Sequence, residues 1–302
     1  MCIDKNCSPF PSRRAFLSEA AIAVTASTLI ASDARGQQEP QQTEDPRKAL
    51  EDPRLTQEII TFKNGEDTIE GFLARPTTRG PFAAVVVVPG DFGLTEYTQV
   101  TAAQLAQSGF VALAVNTFSR AKDLSDLQQA RRIYYDVMTD VLTLQDIQAS
   151  IVYLKQQPFV KRGGLGVIGF CLGGRYSLLI AALSRDIAAT VAFYGPLVLL
   201  KGEPDIKVAR PLKIANHEMS PMDFVDWIKS PIQGHYARKD TTIPVADVER
   251  FEKALRERNA RAEMFIYDTD SHFHSYHEPM YNPEAARQSW SRTIKFFKQN
   301  LR

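Results

Sequence analysis

Three residues whose side chains together perform acyl transfer occur along the chain in the order Cys171, Asp240, His272. A thiol attacks a carbonyl carbon once a histidine has taken its proton, and a carboxylate fixes the orientation and the tautomer of that histidine. The three residues therefore predict a nucleophile, an orienting acid and a base. Because they are far apart in sequence, the fold has to bring them together.

Cys171 lies in a glycine-rich turn between a short apolar segment, 165–169, and an apolar helical segment. This is the pattern of the nucleophile elbow of α/β-hydrolases, with cysteine in place of serine. The turn is so tight that side chains at Gly169 and Gly173 are expected to collide with the backbone, and the nucleophile is held in a strained conformation. A helix N-terminus also favours a thiolate. The alternatives are an inert buried thiol and a phosphate-binding loop.

Asp240 and His272 each follow a predicted strand, 232–237 and 262–267 respectively. An α/β-hydrolase places its acid and its base in such loops, in this chain order. Taken alone, Asp240 would equally be a surface carboxylate or a helix cap, and His272 would equally be a surface histidine. The joint pattern is more specific than any of its parts, and it predicts a Cys-His-Asp triad.

Strand and helix patterns alternate from residue 58 to the end of the chain. The predicted strands cover 58–62, 68–75, 83–88, 110–115, 165–169, 188–194, 232–237 and 262–267. The predicted helices cover 97–108, a segment ending near 183, 245–259 and 283–300, and the helix-rich stretch 125–154 is predicted to contain more than one helix. This alternation predicts an α/β fold: one α/β-hydrolase domain over 54–302, with a mostly parallel twisted sheet and helices on both faces. The proline-punctuated interval 195–227 is predicted to be either a cap over the active site or a surface loop.

The N-terminus has the organisation of an export signal. Adjacent arginines in the segment 12–17 precede a mildly apolar stretch, 20–31, and the small residues Ser32 and Ala34 follow it. The pattern predicts a signal peptide over 1–36 of the twin-arginine type, and the alternative is a disordered basic tail that stays attached.

Removal of that segment would leave a polar tail or linker, 37–53, ahead of the domain, in a periplasmic or secreted protein. Cys2 and Cys7 lie upstream of the cleavage site, so the mature chain would keep Cys171 as its one cysteine and form no internal disulfide. The 36 basic and 35 acidic side chains nearly balance, which argues against nucleic acid as a partner. No stable membrane anchor is expected, and the export machinery is the expected partner during biogenesis.

The chain from about 58 to 301 resembles the dienelactone hydrolase family. The matching segments are 169–174, 234–244 and 271–273, together with 146–158, Tyr281 and 289–297. The resemblance implies hydrolysis of a small lactone or carboxylic ester through an acyl-cysteine, with no cofactor. It also implies that the backbone N–H groups of Leu172 and Asp91 hold the oxyanion.

The loop after the strand at 83–88 departs from the family pattern. The family has a glutamate that contacts the resting thiol, and the matching position here is Gly90, with Asp91 next to it. The arginines that hold the carboxylate of dienelactone have no clear counterparts. The substrate-binding candidates are Phe92, Arg131, Arg132, Arg175, Tyr194 and Tyr276. For the three arginines the alternative role is solvated surface or helix C-terminal charge.

Two other functions are compatible with the same residues. His272, His274 and His277 lie close together in sequence, downstream of Asp268 and Asp270, and a His-x-His pair resembles a zinc-ligand pattern. A metal-dependent hydrolase is therefore one alternative, although it leaves the turn at Cys171 unexplained. The other is a catalytically inactive hydrolase fold that serves as a binding protein.

Overall fold

The computed structural model describes residues 45–120, 140–198, 213–214 and 217–301. The predicted signal segment 1–36 and the substrate-binding candidates Arg131 and Arg132 lie outside the described residues.

A central β-sheet runs through the described domain. Its strands are β1 (Leu55–Asn64), β2 (Asp67–Pro76), β3 (Ala84–Val88), β4 (Val111–Val115), β5 (Leu165–Phe170), β6 (Ile187–Phe193), β9 (Ile232–Ala237) and β10 (Ala262–Tyr267); two short strands, β7 (Lys213–Ile214) and β8 (His217–Glu218), pair only with each other. The order in the eight-stranded sheet is β1-β2-β4-β3-β5-β6-β9-β10. Six strands are parallel to their neighbours: β4, β3, β5, β6, β9 and β10. At one side of the sheet β2 pairs antiparallel with β4, and β1 pairs antiparallel with β2. The predicted mostly parallel sheet is confirmed.

Five α-helices occur in the described ranges. They are α1 (Glu96–Gln107), α2 (Asp140–Lys155), α3 (Leu172–Leu183), α4 (Val245–Glu257) and α5 (Pro283–Asn300). The crossover from β3 through α1 to β4 runs along the sheet in the opposite direction to the crossovers through α2, α3 and α4. Because such crossovers are right-handed, α1 lies on one face of the sheet and α2, α3 and α4 lie on the other.

The middle of the sheet is the core of the protein. Every residue of β3, β4 and β5 is buried, as expected for parallel strands that are covered on both faces. The carboxyl ends of parallel strands lie at the same end of the sheet, so the loops that follow β3, β5, β6, β9 and β10 lie side by side. These loops carry Asp91, Cys171, Tyr194, Asp240 and His272 respectively. The topology thus places these five residues at the carboxyl ends of the parallel strands.

The folded domain begins earlier than predicted. A 3₁₀ helix, Pro46–Glu51, lies within the segment that the sequence predicts as tail, and it packs against α1 with Ala49 fully buried. The domain therefore includes Asp45, which caps this helix by accepting a hydrogen bond from Arg47 N. The predicted boundary at 54 is too late because the polar composition of this segment hides the buried Ala49 and also Leu50, which packs against the core.

The described part of the interval 195–227 does not cover the site. Its 3₁₀ helix, Pro221–Trp227, packs against α3 and α4, with Phe224 and Val225 buried. None of its described residues lines the cavity that contains Cys171. Among all the residues that the structure describes, no helix has the length and apolar character needed to cross a lipid bilayer.

Candidate active site

Cys171 forms the turn between β5 and α3 in a left-handed backbone conformation, with φ 53° and ψ −121°. This conformation costs a non-glycine residue about 1–3 kcal/mol, so surrounding contacts have to impose it. The backbone N–H of Cys171 donates to Phe193 O at 3.0 Å, and its carbonyl accepts from Gly174 N at 2.9 Å. These two bonds fix the turn to β6 and begin the helix behind it.

Steric contacts explain why Gly169 and Gly173, on either side of Cys171, are glycines. A Cβ at Gly169 would lie 2.0 Å from Gly173 O, and a Cβ at Gly173 would lie 2.2 Å from Val88 O. The obstructing atoms belong to the backbone, so a rotamer change cannot relieve the overlap. Strand β5, helix α3 and the end of β3 therefore meet at Cys171 at distances that only glycine allows.

A cavity of 360 Å³ opens in front of Cys171, within the usual size of a small-molecule site. The structure brings six of the predicted residues together in its lining: Cys171, His272, Asp91, Phe92, Tyr194 and Tyr276. Leu172, the first residue of α3, follows Cys171 directly and is buried. Thus the thiol, the imidazole and the loop that carries Asp91 border one space.

Gly90 lies directly against Cys171. A Cβ at Gly90 would lie 3.7 Å from Cys171 Cβ and 3.5 Å from Phe170 O, which are ordinary contact distances. A glutamate at this position, as in the family pattern, would therefore start next to the thiol. In this chain Gly90 has no carboxylate, and the adjacent residue, Asp91, lines the cavity.

His272 lies in a turn that two tyrosines anchor. Its own φ is 58°, and its carbonyl accepts a hydrogen bond from Ser275 N at 3.0 Å. The hydroxyl of Tyr194 lies 3.0 Å from Ser275 Oγ, and the ring of Tyr194 lies 4.9 Å from the His272 ring. Tyr97 OH, from α1, bonds His274 Nδ1 at 2.7 Å. The sequence did not indicate Tyr97 or Ser275, and no local pattern marks them.

Asp240 is buried in the turn after β9. Its Oδ1 accepts hydrogen bonds from Thr242 N at 2.8 Å and from Ile243 N at 3.0 Å. Its Oδ2 is also buried and has no hydrogen-bond partner among the described residues. The turn is joined to the loop of His272 by a bond from Lys239 N to Thr269 O at 3.1 Å. A buried carboxylate oxygen without a donor is costly. Among the described residues, no hydrogen bond joins Asp240 to His272.

Arg175 is placed away from the cavity, which corrects its prediction as a substrate-binding residue. Its side chain is buried and donates to Asp140 Oδ2 at 2.7 Å and to Met219 O at 3.1 Å. Tyr176 OH donates to the other oxygen of Asp140 at 2.9 Å. Arg175 is therefore part of a buried ion pair between α3 and α2, and the alternative of a solvated surface arginine is also wrong. Its position on α3 turns it toward α2, away from Cys171.

The three clustered histidines do not converge on a metal site. His274 is buried, and its ring packs against Phe193 and Trp290, while His277 is about half exposed. Across the described ranges, no group of three or more histidine, cysteine or acidic side chains is arranged to hold a metal ion. The geometry gives the metal-dependent alternative no support.

The burial of His274 predicts a pH-dependent stability. Burial lowers its pKa to about 3, well below the ordinary value of 6.5, so this histidine is neutral in the folded protein. The unfolded chain takes up a proton below about pH 6.5, so the free energy of unfolding should fall as the pH falls from there toward 3. The loss from this one group is at most about 1.4 kcal/mol per pH unit. His235, whose pKa burial also lowers, acts in the same direction.

Urea unfolding of the wild type and of His274→Phe at several pH values between 4 and 7 would measure this contribution. The variant should show a smaller slope of unfolding free energy against pH. His277→Gln is the matched control, because that side chain is half exposed, and it should keep the wild-type slope. Equal slopes in the wild type and His274→Phe would show that His274 does not titrate on unfolding.

The fold and the elbow define the chain as an α/β-hydrolase. The model of the dienelactone hydrolase family matches residues 69–301. The chain belongs to the dienelactone hydrolase family, and it is a hydrolase.

Relatives of known sequence and structure agree with this membership. The "Probable 2-oxo-3-(5-oxofuran-2-ylidene)propanoate lactonase" of a Bradyrhizobium species is 34% identical over 79% of this chain and 92% of its own. The "Putative carboxymethylenebutenolidase" of Methylorubrum extorquens is 29% identical over 91% of this chain and 86% of its own. The crystal structure of the "Putative Dienelactone Hydrolase" from Klebsiella pneumoniae, 29% identical, superposes with a TM-score of 0.71 over 81% of this chain and 99% of that one.

Proposed function

We propose that this protein hydrolyses a small carboxylic ester or lactone through an acyl-enzyme on Cys171. The observation that carries the proposal is the left-handed conformation of Cys171 at the mouth of a cavity that His272 also lines. A cysteine kept only for packing has no need of a strained backbone, whereas a nucleophile needs exposure above the sheet. The relatives named for lactone and butenolide hydrolysis suggest the same substrate class.

In the first half of the reaction, His272 takes the proton of the Cys171 thiol while the sulfur attacks the carbonyl carbon. The resulting oxyanion accepts hydrogen bonds from the backbone N–H groups of Leu172 and Asp91. The bond to the alkoxy oxygen then breaks, and the proton on His272 passes to that oxygen. This leaves a thioester on Cys171, with the alcohol released or, for a lactone, still joined to the acyl chain.

In the second half, His272 takes a proton from water, and the oxygen of that water attacks the thioester carbonyl. The carbon–sulfur bond breaks, the acid leaves, and the thiol regains its proton from His272. Asp240 would hold the imidazole in the tautomer that both halves need. Tyr194, through Ser275, would hold the turn of His272 in place against the cavity.

Intact-mass spectrometry before and after an activated ester, 4-nitrophenyl acetate, tests the proposal. The wild type should gain the mass of one acetyl group within the time of turnover, and Cys171→Ala should gain none. An acetyl group that appears equally in Cys171→Ala would overturn the assignment of the nucleophile. Hydrolysis of substrate without any acylation at Cys171 would point to another mechanism, and neither acylation nor hydrolysis would favour the binding-protein alternative.

We also propose that the chain is exported through the twin-arginine route, on the strength of the segment 12–17 and the apolar stretch 20–31. Cleavage near Ala34 would produce a mature protein whose single thiol is that of Cys171. The intact mass of protein recovered from a periplasmic fraction would report the cleavage. An uncleaved chain confined to the cytoplasm would contradict the proposal.

A further inference from the structure

The lining of the cavity in front of Cys171 combines aromatic rings with carboxylates. The aromatic lining residues are Phe92, Tyr97, Phe170, Tyr194 and Tyr276, and the acidic ones are Asp91, Glu96 and Glu278. In the part of the chain that the structure describes, this lining includes neither lysine nor arginine. Arg175, the one described arginine that was expected here, is paired with Asp140 instead.

The rings line one side of the cavity as a continuous cluster. Tyr97 lies 5.7 Å from Tyr276 and 5.1 Å from Phe170 between ring centroids, and His277 lies 5.3 Å from Tyr97. Such a surface binds aromatic and aliphatic groups by removing them from water. The faces of tyrosine rings also attract cations that come within about 6 Å.

Two of the carboxylates are held beside this cluster. Tyr276 OH donates to Glu96 Oε1 at 3.0 Å, which fixes the Glu96 carboxylate against the aromatic rim. Glu278 is less exposed than Glu96, and its Oε1 lies 3.7 Å from Nε2 of His277, another residue of the lining. Both carboxylates therefore border the cavity next to the aromatic cluster.

We propose that this cavity takes esters or lactones with an aromatic or aliphatic acyl group and binds neutral or cationic ones in preference to carboxylate-bearing ones. The proposal deepens the hydrolase function given above and rests on it for its chemistry. A ligand with an anionic substituent would place that charge beside Glu96 and Glu278, and like-charge repulsion would weaken its binding. A neutral substituent meets no such repulsion, and a cationic one is attracted to the two carboxylates. Because the carboxylates are partly exposed, the effect should weaken with added salt.

Binding of three chain-length-matched anilides to the full-length protein tests this preference without turnover. The probes are the anilide of hexanoic acid, which is neutral, the anilide of γ-trimethylammoniobutyric acid, which is cationic, and the monoanilide of glutaric acid, which keeps one carboxylate and is anionic. Titration calorimetry should give a Kd for the glutaric anilide about tenfold above that of the hexanoic anilide at low salt. In Glu96→Gln and in Glu278→Gln the ratio of the two Kd values should fall about threefold. Glu249→Gln, an exposed position on α4, is the matched control and should leave the ratio unchanged.

Tightest binding of the glutaric anilide would overturn the proposal. If that binding were lost in the double variant Arg131→Gln, Arg132→Gln, arginines outside the described residues would set the selectivity. A ratio that neither glutamate variant changes would also overturn it, as would failure of the neutral and cationic anilides to bind. A preference for neutral or cationic anilides in a protein that hydrolyses no ester would support this inference and count against the proposed function alone.

Discussion

Replacement of Asp240 by asparagine is expected to lower kcat by about 10⁴-fold, the loss typical of this change in a hydrolase triad. Asparagine keeps an oxygen where Oδ1 accepts from Thr242 N and Ile243 N, so the turn should remain intact. At the position of Oδ2 it presents an N–H donor instead of an acceptor. The imidazole of His272 would then be held in the wrong tautomer, and its protonated form would lose the charge that stabilises it.

Kinetics of the Asp240→Asn variant on an activated ester, together with its thermal unfolding, would check this prediction. Asp270→Asn, on the loop that carries His272, is the matched control and should retain wild-type kcat, because Asp270 is exposed. Tyr236→Phe separates a second possibility, since the Tyr236 hydroxyl is also buried without a partner among the described residues. Burial raises the pKa of this hydroxyl, and the negative charge of Asp240 adds to the rise. A loss in Tyr236→Phe as large as in Asp240→Asn would mean that Asp240 acts through this hydroxyl.

The elements of the fold were predictable where local pattern and tertiary packing agree. The sequence predicted β9 and β10 with the bounds that the structure shows, since each is a short run that suits a half-buried or buried strand next to turn residues. Helix α5 begins at Pro283 after Asn282, whose side chain accepts from Ala285 N, so its start is a local capping signal. The hairpin around Gly65, which has φ 58°, follows from the preference of an Asn-Gly pair for this turn.

The residues that support the site were less predictable, because they act over long sequence separations. Tyr97 and His274 bond across 177 positions, and Tyr194 and Ser275 bond across 81. Their residue types are common in cores, and only the shared edge of the sheet brings them together. The sequence gives no sign of the position of Arg175 for the same reason: its partner, Asp140, belongs to another helix, and nothing adjacent to Arg175 in sequence indicates that pairing.

The elbow offers the sharpest stability prediction, because two glycines at one site differ in the space around them. A Cβ at Gly173 would lie 2.2 Å from Val88 O and 2.3 Å from Pro89 O, whereas a Cβ at Gly90 meets no atom closer than 3.5 Å. Neither glycine has the left-handed backbone that would strain an alanine regardless of space. Gly173→Ala should therefore lower the free energy of unfolding by more than about 4 kcal/mol or prevent folding, and Gly90→Ala should change it by less than about 1 kcal/mol.

The physical reason for this contrast also links the stability of the elbow to its chemistry. The end of β3 approaches the first turn of α3 at Gly173, and that approach holds Cys171 in its left-handed conformation beside the loop that carries Asp91. Separating β3 from α3 to admit a methyl group would release that conformation together with the packing. Urea unfolding of the two alanine variants, each compared with the wild type, would measure the difference. A Gly173→Ala variant as stable as Gly90→Ala would show that the strands and helix do not meet as closely as the structure places them, and the case for Cys171 as nucleophile would lose its geometric basis.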